Sequence, residues 1–392
     1  MRPRALGGCL CLLLTWVGCK HDEPVHQMTT TAPDSFGTAG VPREPETAPT
    51  PPGGGSKPLS PSAPEPMAAP FALSTPLPPA PPIPPTPAFL PSVVDPPENP
   101  TTPEKVALGY LLFFDKRISN DGSMACENCH HPDRAWTDGQ AVSAKVGGAM
   151  NTRNSPTMVN LAYHTSFYWD GRMPTLEAVS NAAWTGQLGA KPDVIAKKLN
   201  GIASYRAYFQ GAFGSDATSK NVPMALASFL RALKSGDAPW DKFEQGNQRA
   251  VSKQAKDGFQ VFRHAGCAAC HVPPLYTDSL FHNVGIGSDM PADKQDHGRM
   301  NATKDPKDDG QFKTPTLRNI ELTDPYFHDG SVASLDQAIE IMIAGGIKNP
   351  NLDEKLKHPV KVKPKDRKAL KAFLLSLTGT STFTGAPTSL PE

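Results

Sequence analysis

Two copies of the pattern C-x-x-C-H constrain this chain more than any other feature. They read CENCH at residues 126–130 and CAACH at residues 267–271, with thiols at Cys126, Cys129, Cys267 and Cys270. This pattern is the attachment signature of c-type haem: both thiols add to haem vinyl groups, and the following histidine binds the iron. The motifs therefore predict two covalently bound haem c groups, with His130 and His271 as axial ligands, and a fold wrapped around them.

These four cysteines have two alternative uses. A four-cysteine zinc site needs no histidine after each pair, yet both pairs have one. A disulfide within C-x-x-C is usually a redox dithiol rather than a structural bridge. The other cysteines, Cys9, Cys11 and Cys19, all lie close to the N-terminus. Haem attachment is thus the interpretation that uses all four cysteines of the body together with the histidine after each pair.

The N-terminus has the pattern of an export signal. Two arginines precede an apolar run from Ala5 to Val17, which is shorter than the ~20 residues that span a bilayer. The run ends in Gly18-Cys19, which resembles the lipobox of bacterial lipoproteins. We therefore expect a signal peptide over 1–19, lipidation at Cys19 and a periplasmic protein anchored to the membrane only by lipid. An ordinary cleaved signal is the alternative.

Residues 20–99 are rich in Pro, Ala, Thr, Ser and Gly, as in LPPAPPIPPTPAF. Such a segment buries too little apolar surface to offset its ordering entropy, so a disordered linker is expected. The net charge of +1 gives no electrostatic case for nucleic acid as a partner.

The rest of the chain shows helical periodicity and few β signals. Phe259 and Phe262 share a helix face just before the second motif, and apolar residues from Val106 to Leu111 do so before the first. The prediction is a mainly α fold with two cytochrome c-like haem domains, at 100–245 and 246–380, followed by a tail at 381–392.

Several stretches of the body resemble the dihaem cytochrome c peroxidase family, which includes the MauG-type enzymes. They include CENCHHPDRAWTDG, FYWDGR, LNGIASYRAYFQGAF and KTPTLRNIELTDPYFHDGS, and the resemblance covers about residues 100–380. It implies that the first haem is peroxidatic, with His130 as its proximal ligand. The second haem, held by His271, would pass electrons in from a small c-type cytochrome or copper protein.

The resemblance also implies a second ligand for the second haem. The position that matches Met342, in LDQAIEIM, is methionine in the peroxidases and tyrosine in MauG-type enzymes. A methionine in an apolar helix stripe is more often core, but the family match favours Met342 as the ligand. Met290 and Met300 are the alternatives.

Further roles are implied only by this likeness. Trp169 in FYWDGR matches the tryptophan between the two haems, although a large aromatic residue can equally be core. Asn154, Thr323 and Pro325 match positions that hold one calcium ion through oxygen atoms, the ligands that calcium prefers.

The chain departs from the family on the distal side of the first haem. Switchable peroxidases carry a distal histidine in the loop after the first motif, and the loop from Pro132 to Arg153 has none. His131 follows the proximal ligand too closely to reach the opposite face, and Met150 and His164 are weak substitutes. We expect a permanently open or water-ligated first haem.

The second departure is at Gln187. The register set by LNGIASYRAYFQGAF aligns Gln187-Leu188 with a family Glu-Met dipeptide whose glutamate transfers protons to and from peroxide. An amide can position peroxide but cannot act as an acid or base, and losing such a group typically costs about 10²–10⁴ in rate. Val179 replaces a family glutamine nearby, whereas Glu177 matches a separate family glutamate.

Three functions fit these features. The leading one is reduction of hydrogen peroxide with electrons from a small periplasmic redox protein. The second is a MauG-like oxidant that acts on aromatic residues of a partner protein, and the third is a non-enzymatic dihaem electron-transfer protein. Many relatives are homodimers, but no apolar stripe in this sequence indicates a dimer.

Overall fold

Helices carry most of the regular structure in residues 79–392, the part of the chain that this computed structural model describes. The predicted signal peptide, Cys19 and the linker as far as residue 78 lie outside it. The helices are α1 Pro103–Phe114, α2 Leu176–Gly186, α3 Pro192–Asn200, α4 Ala203–Phe213, α5 Asn221–Ala232, α6 Pro239–Glu244, α7 Lys253–His264, α8 Met300–Thr303, α9 Leu335–Ile343 and α10 Pro364–Leu375. The mainly α class is confirmed.

The strands of the described residues are only two residues long and form two antiparallel ladders. Their bounds are β1 Ser235–Gly236, β2 Phe281–His282, β3 Phe312–Lys313 and β4 Thr380–Ser381, with β1 paired to β4 and β2 to β3. These ladders fasten loops to one another, while the helices supply the hydrophobic cores. No helix in residues 79–392 has both the length and the apolar character needed to cross a bilayer.

The helices that precede the two haem motifs begin where their sequences predict. Thr102 caps α1 by accepting a hydrogen bond from the backbone N–H of Lys105, and Pro103 occupies the first turn. Ser252 caps α7 in the same way through the N–H of Ala255. The predicted helices around 106–111 and 252–262 are therefore confirmed.

One hydrophobic core surrounds the first motif, and another surrounds the second. In the first, Gly109 of α1 lies so close to α5 that a Cβ there would overlap the carbonyl of Ala225. In the second, Gly258 of α7 lies equally close to Ala369 of α10. Each motif thus follows a helix whose glycine permits close contact with a later helix, and the two halves repeat this arrangement.

The last part of the predicted linker does not behave as a disordered segment. Leu90 is buried, and the Asn99 side chain donates to Glu177 and to the carbonyl of Met224 on α5. The carbonyl of Pro91 accepts a hydrogen bond from Tyr163. The expected linker over 20–99 therefore ends earlier, because residues 86–99 find polar partners and one apolar pocket on the body.

Candidate haem site

The first motif presents a single free nitrogen on its histidine. Cys126–Asn128 form one short helical turn, and His130 follows with its Nδ1 2.9 Å from the carbonyl oxygen of Trp136. Metal-binding histidines usually donate one ring N–H in this way, which orients the other nitrogen toward the metal. Burial lowers the pKa of His130, so the ring is neutral, the form that binds iron.

The second motif repeats this geometry. After the turn Cys267–Ala269, the Nδ1 of His271 lies 3.0 Å from the carbonyl oxygen of Tyr276. Burial lowers the pKa of His271, and the hydrogen bond to the carbonyl of Tyr276 acts in the opposite direction. Both histidines therefore fit the role of proximal ligand through Nε2.

The cysteines of the motifs are free thiols rather than disulfides. Cys126 contacts the first core and Cys267 contacts the second, so the two pairs are in different parts of the body. Within residues 79–392, the only cluster with metal-ligand spacing that contains a cysteine is Cys270 with Asp278 and His282. Neither a disulfide pair nor a four-cysteine zinc site forms among the described residues.

A cavity of about 450 Å³ opens beside the first motif. Its walls include both thiols of that motif, His130, and apolar residues from α2 and α5. The lining residues used below are Cys126, Cys129, His130, His164, Tyr168, Trp169, Arg172, Ala183, Gln187, Lys313, Thr314 and Pro315. A mostly apolar cavity with a few convergent polar groups is typical of cofactor sites, and it fits a haem attached at this motif.

Gln187 lies in this cavity, at the end of α2. Its backbone N–H bonds to the carbonyl of Ala183, and its carbonyl accepts from Val146, so the loop is fixed on both sides. The side-chain Oε1 is buried and has no hydrogen-bond partner among the described residues. A buried acceptor without a partner costs about 1–3 kcal/mol, and this one is available to a bound O–H group.

Tyr168 is a polar cavity residue that the sequence interpretation missed. Its backbone has φ of +64°, and the Arg172 guanidinium lies 3.8 Å from the centre of its ring. Burial raises the pKa of the Tyr168 phenol, while Arg172 and the Gln187 amide lower it. Tyr168 thus keeps its proton beside Gln187; the only signal for it in the sequence was its place next to Trp169.

Trp169 lines the cavity and contacts the stretch that reaches the second motif. Its indole N–H donates to the carbonyl of Asn154, and its own carbonyl accepts from Lys313 at 2.8 Å. The next residue, Thr314, lines the cavity, and its carbonyl accepts from the hydroxyl of Thr277, the neighbour of Tyr276, whose carbonyl bonds to His271. Trp169 is therefore held against the segment that connects the two sites.

The segment that contains Tyr168 and α2 has a counterpart in the second half of the chain. Each segment has a β-bridge, Phe167–Met173 in the first half and Tyr326–Val332 in the second. Each then has a residue with positive φ (Tyr168 and Phe327) and a helix N-cap (Thr175 and Ser334). All these pairs align in one register without gaps. The same register aligns Ala183 of α2 with Met342 of α9. Because Ala183 lines the cavity at the first motif, Met342 is expected on the corresponding side of the second.

The neighbours of Met342 agree with this expectation. Leu335, Ala338 and Ile339 of α9 belong to the second core, whereas Met342 is half-buried and outside that cluster. Of the alternatives, Met290 is 47% exposed and Met300 begins the short helix α8. Ser334 caps the N-terminus of α9, since its hydroxyl accepts from the N–H of Gln337.

The three candidates for a distal ligand at the first motif are bonded to other groups or exposed to solvent. His164 lines the cavity, but its Nδ1 lies 2.9 Å from the hydroxyl of Ser279, and burial lowers its pKa to about 3. Met150 is 56% exposed. His131 pairs through its backbone with Thr137.

The residues expected to bind calcium lie on two stretches that contact each other. The backbone N–H of Asn154 bonds to the carbonyl of His328, three residues after Pro325. The Asn154 side-chain nitrogen donates to the carbonyl of Gln140, and the Thr323 hydroxyl donates to Ile320. The two stretches are thus adjacent.

Comparison with known proteins agrees with this site. A sequence model of di-haem cytochrome c peroxidases matches residues 103–249. The methylamine utilization protein MauG of Methylorubrum extorquens is 39% identical over 293 residues, which cover 73% of this chain and 81% of that protein. This chain belongs to the dihaem cytochrome c peroxidase family. As a member, it is a peroxidase-type oxidoreductase with two haem groups.

Other relatives of this dihaem peroxidase carry both kinds of name. The cytochrome-c peroxidase IdrP1 of Denitromonas iodatirespirans is 35% identical over 328 residues, covering 76% of this chain and 87% of that one. A crystal structure of a MauG-like protein associated with microbial copper homeostasis is 31% identical, with a TM-score of 0.68. The match covers 76% of this chain and 95% of that one. The peroxidase BthA of Burkholderia thailandensis, at 20% identity and a TM-score of 0.60, shows the same fold.

Proposed function

We propose that this dihaem peroxidase reduces hydrogen peroxide at its first haem, with electrons that a small c-type cytochrome or copper protein delivers through its second. The observation that carries this proposal is the cavity itself. It brings His130, Gln187 and Trp169 together with Thr314, whose carbonyl accepts from Thr277, next to the residue that bonds to the second proximal histidine. A reactive site and an entry path for electrons are thereby in contact.

We also propose that each haem has its own cytochrome c-like domain, at residues 100–245 and 246–380, with a tail at 381–392. The repeated glycine contacts, Gly109 against Ala225 and Gly258 against Ala369, support two equivalent units. In this arrangement the first domain is peroxidatic and the second transfers electrons.

When bound, the first haem supplies the iron at which the O–O bond of peroxide is cleaved. His130 would bind that iron through Nε2, because Nδ1 is engaged by Trp136. Gln187 would accept a hydrogen bond from peroxide through its Oε1, and Tyr168 would donate a proton or hydrogen bond to the departing oxygen. A phenol whose pKa is raised by burial is a weaker acid than a carboxyl group, so we expect slow peroxide cleavage.

The axial ligands would differ between the two haems. Met342 would complete the second iron with a thioether, which raises a haem potential and suits an electron-accepting site. Its counterpart Ala183 has no atom that can bind a metal, so the first iron would keep an open or water-ligated position. Trp169 would relay electrons between them.

The remaining expectations are also proposals. Asn154, Thr323 and Pro325 would hold one calcium ion, supported by the contact between their two stretches. The protein would be periplasmic and anchored by lipid at Cys19, and it would form a homodimer if it follows its relatives. These proposals rest on the sequence and on family membership.

The test is peroxide turnover with a reduced c-type cytochrome as donor. We expect steady consumption of peroxide, with donor oxidation in a 2:1 ratio to peroxide, since each peroxide takes two electrons and two protons to give two waters. A protein that transfers electrons but consumes no peroxide would be an electron-transfer protein instead.

A second candidate is favoured by one observation, Ala183 at the position that corresponds to Met342, which would leave the first haem open. An open first haem suits a MauG-like enzyme that oxidises aromatic side chains of a partner protein, whereas the amide of Gln187 favours a non-enzymatic electron-transfer protein. A peroxide-dependent mass change in a co-purified protein would identify this activity.

A further inference from the structure

The residues from Lys355 to Lys371 form the most basic segment of the body. They contain eight lysines and arginines against one aspartate, a net charge of +7, in a chain whose net charge is +1. The rest of the chain therefore carries a net charge of −6. We call residues 355–371 the basic strip; it runs from a short helical turn through an extended stretch into the first half of α10.

Half of the positive charges of the basic strip are exposed and have no ion-pair partner among the described residues. Lys361, Lys363, Lys365 and Lys368 are exposed, and no carboxylate of residues 79–392 lies within ion-pair distance of any of them; the ion pairs of the strip involve Lys357, Arg367 and Lys371 instead. Four like charges without counter-charges repel one another. Such a cluster is stabilised when an oppositely charged surface is brought to it.

The basic strip begins at the second haem motif. The Nζ of Lys355 lies 3.2 Å from the carbonyl of Ala269 and 3.7 Å from the Sγ of Cys270, one of the two attachment thiols. The strip continues into α10, which packs on α7, the helix that leads into the same motif. The basic strip therefore starts beside an attachment thiol of the second motif and ends on a helix that packs against the helix leading into that motif.

Two apolar residues are exposed, one at the second motif and one within the basic strip. Val272, which directly follows the proximal histidine, is 44% exposed, and Val360 within the strip is 49% exposed. A small apolar centre within a charged surround is typical of surfaces that bind proteins transiently. Because Lys355 contacts Cys270, an attachment thiol of the haem that would receive electrons, a redox protein is the partner best matched to this surface.

We propose that the basic strip is the docking surface for an electron-donor protein with an acidic face. This inference rests on the proposed function, because it assigns the entry of electrons to the second haem. In each encounter one electron leaves the donor metal, which is oxidised, and reduces the ferric iron of the second haem. No bond forms or breaks, and no proton is required.

Electrostatic steering sets the expected size of the effect. Complementary charge raises association rates by about 10–10³, and the gain falls steeply with salt. The Debye length is about 30 Å at 0.01 M and about 8 Å at 0.15 M. The effect of the strip should therefore be large at low ionic strength and small at physiological salt.

The experiment compares two charge-reversal variants of the haem-loaded protein. In the first, Lys361, Lys363, Lys365 and Lys368 are all changed to glutamate. In the matched control the same change is made at four exposed lysines elsewhere, Lys197, Lys198, Lys220 and Lys242. Two reduced c-type cytochromes of similar potential, one with an acidic surface and one with a basic surface, serve as donors in stopped-flow measurements without peroxide.

We expect the strip variant to lose at least tenfold in the second-order rate for the acidic donor at 0.01 M salt, and the control to change by less than threefold. Calorimetric binding of the oxidised acidic donor should weaken in parallel. Equal rates for both donors, or equal losses in both variants, would overturn the proposal. If only binding to vesicles of anionic phosphatidylglycerol is lost, the strip is a membrane-binding site and the proposal is wrong.

A separate measurement tests the proposed function. Peroxide consumption is measured separately with a small uncharged reductant, which does not need the strip. If that activity is absent while the strip still governs reduction by the acidic donor, the docking inference stands and the peroxidase assignment falls.

Discussion

Restoring a carboxyl group at Gln187 should accelerate peroxide cleavage. Gln187→Glu keeps the shape of the side chain, because it replaces the amide nitrogen with oxygen. The residue is well fixed by the hydrogen bonds of its backbone to Ala183 and Val146, so the new carboxyl should stay in the cavity. Its Oε1 already occupies a buried position without a partner among the described residues.

The magnitude follows from the surroundings of the site. A positioned general acid–base contributes about 10²–10⁴ in rate, or about 3–5 kcal/mol of activation free energy. We expect the lower end, about 100-fold. Burial raises the pKa of a carboxyl group, and the neighbouring Arg172 is already paired with Asp170 at 2.8 Å.

The pH dependence gives a second signature. The carboxylate is the base that takes the first proton from peroxide, so the rate in the Gln187→Glu variant should rise as pH increases through the raised pKa of the introduced carboxyl group. The folded variant binds the proton more tightly than the unfolded chain, so its stability relative to the wild type should fall as pH rises through the same range. The wild type has neither dependence from this position.

The assay is the reaction of the ferric protein with peroxide in a stopped-flow spectrometer. Gln248→Glu, at an exposed glutamine, is the control and should change the rate by less than twofold. Tyr168→Phe in the wild-type background should slow the reaction about tenfold if the phenol is the remaining proton donor. If the wild type is already fast and Gln187→Glu slows it, the amide does not occupy the place of a missing acid.

Three further predictions concern the ligands and the core. Met342→Ala should lower the potential of the second haem in a potentiometric titration, while Met290→Ala should leave that potential unchanged. If the Met342→Ala variant and the wild type have equal potentials, Met342 is not the ligand. The ferric protein should show a high-spin signal in electron paramagnetic resonance that His164→Ala does not alter, and a wholly low-spin spectrum would contradict an open first haem. Arg318→Ala should reduce the free energy of unfolding, measured in urea, by about 3–5 kcal/mol. Arg318 and Asp241 are each 1% exposed, so the change leaves the buried charge of Asp241 unpaired. A loss below about 1 kcal/mol would show that water reaches the site.

Local patterns identified much of this protein before its fold was known. The two C-x-x-C-H motifs fix their own geometry, since thiols and histidine lie within one turn of chain. The caps and apolar spacing of α1 and α7 likewise depend on residues close in sequence. The linker boundary was less predictable, because Asn99 is ordered by contacts with Glu177 and Met224, far along the chain.

The amino-acid sequence alone predicted two haems and a mainly helical fold, which are confirmed, and it predicted that an amide stands at the position of the family glutamate. Which side chains share the reactive cavity became known only from the folded chain. Tyr168, Gln187 and Lys313 come from separate segments, and no local pattern specifies their meeting. The physical reason is that cavity walls and surface charge arise from contacts between distant segments, as when Lys355 reaches Cys270.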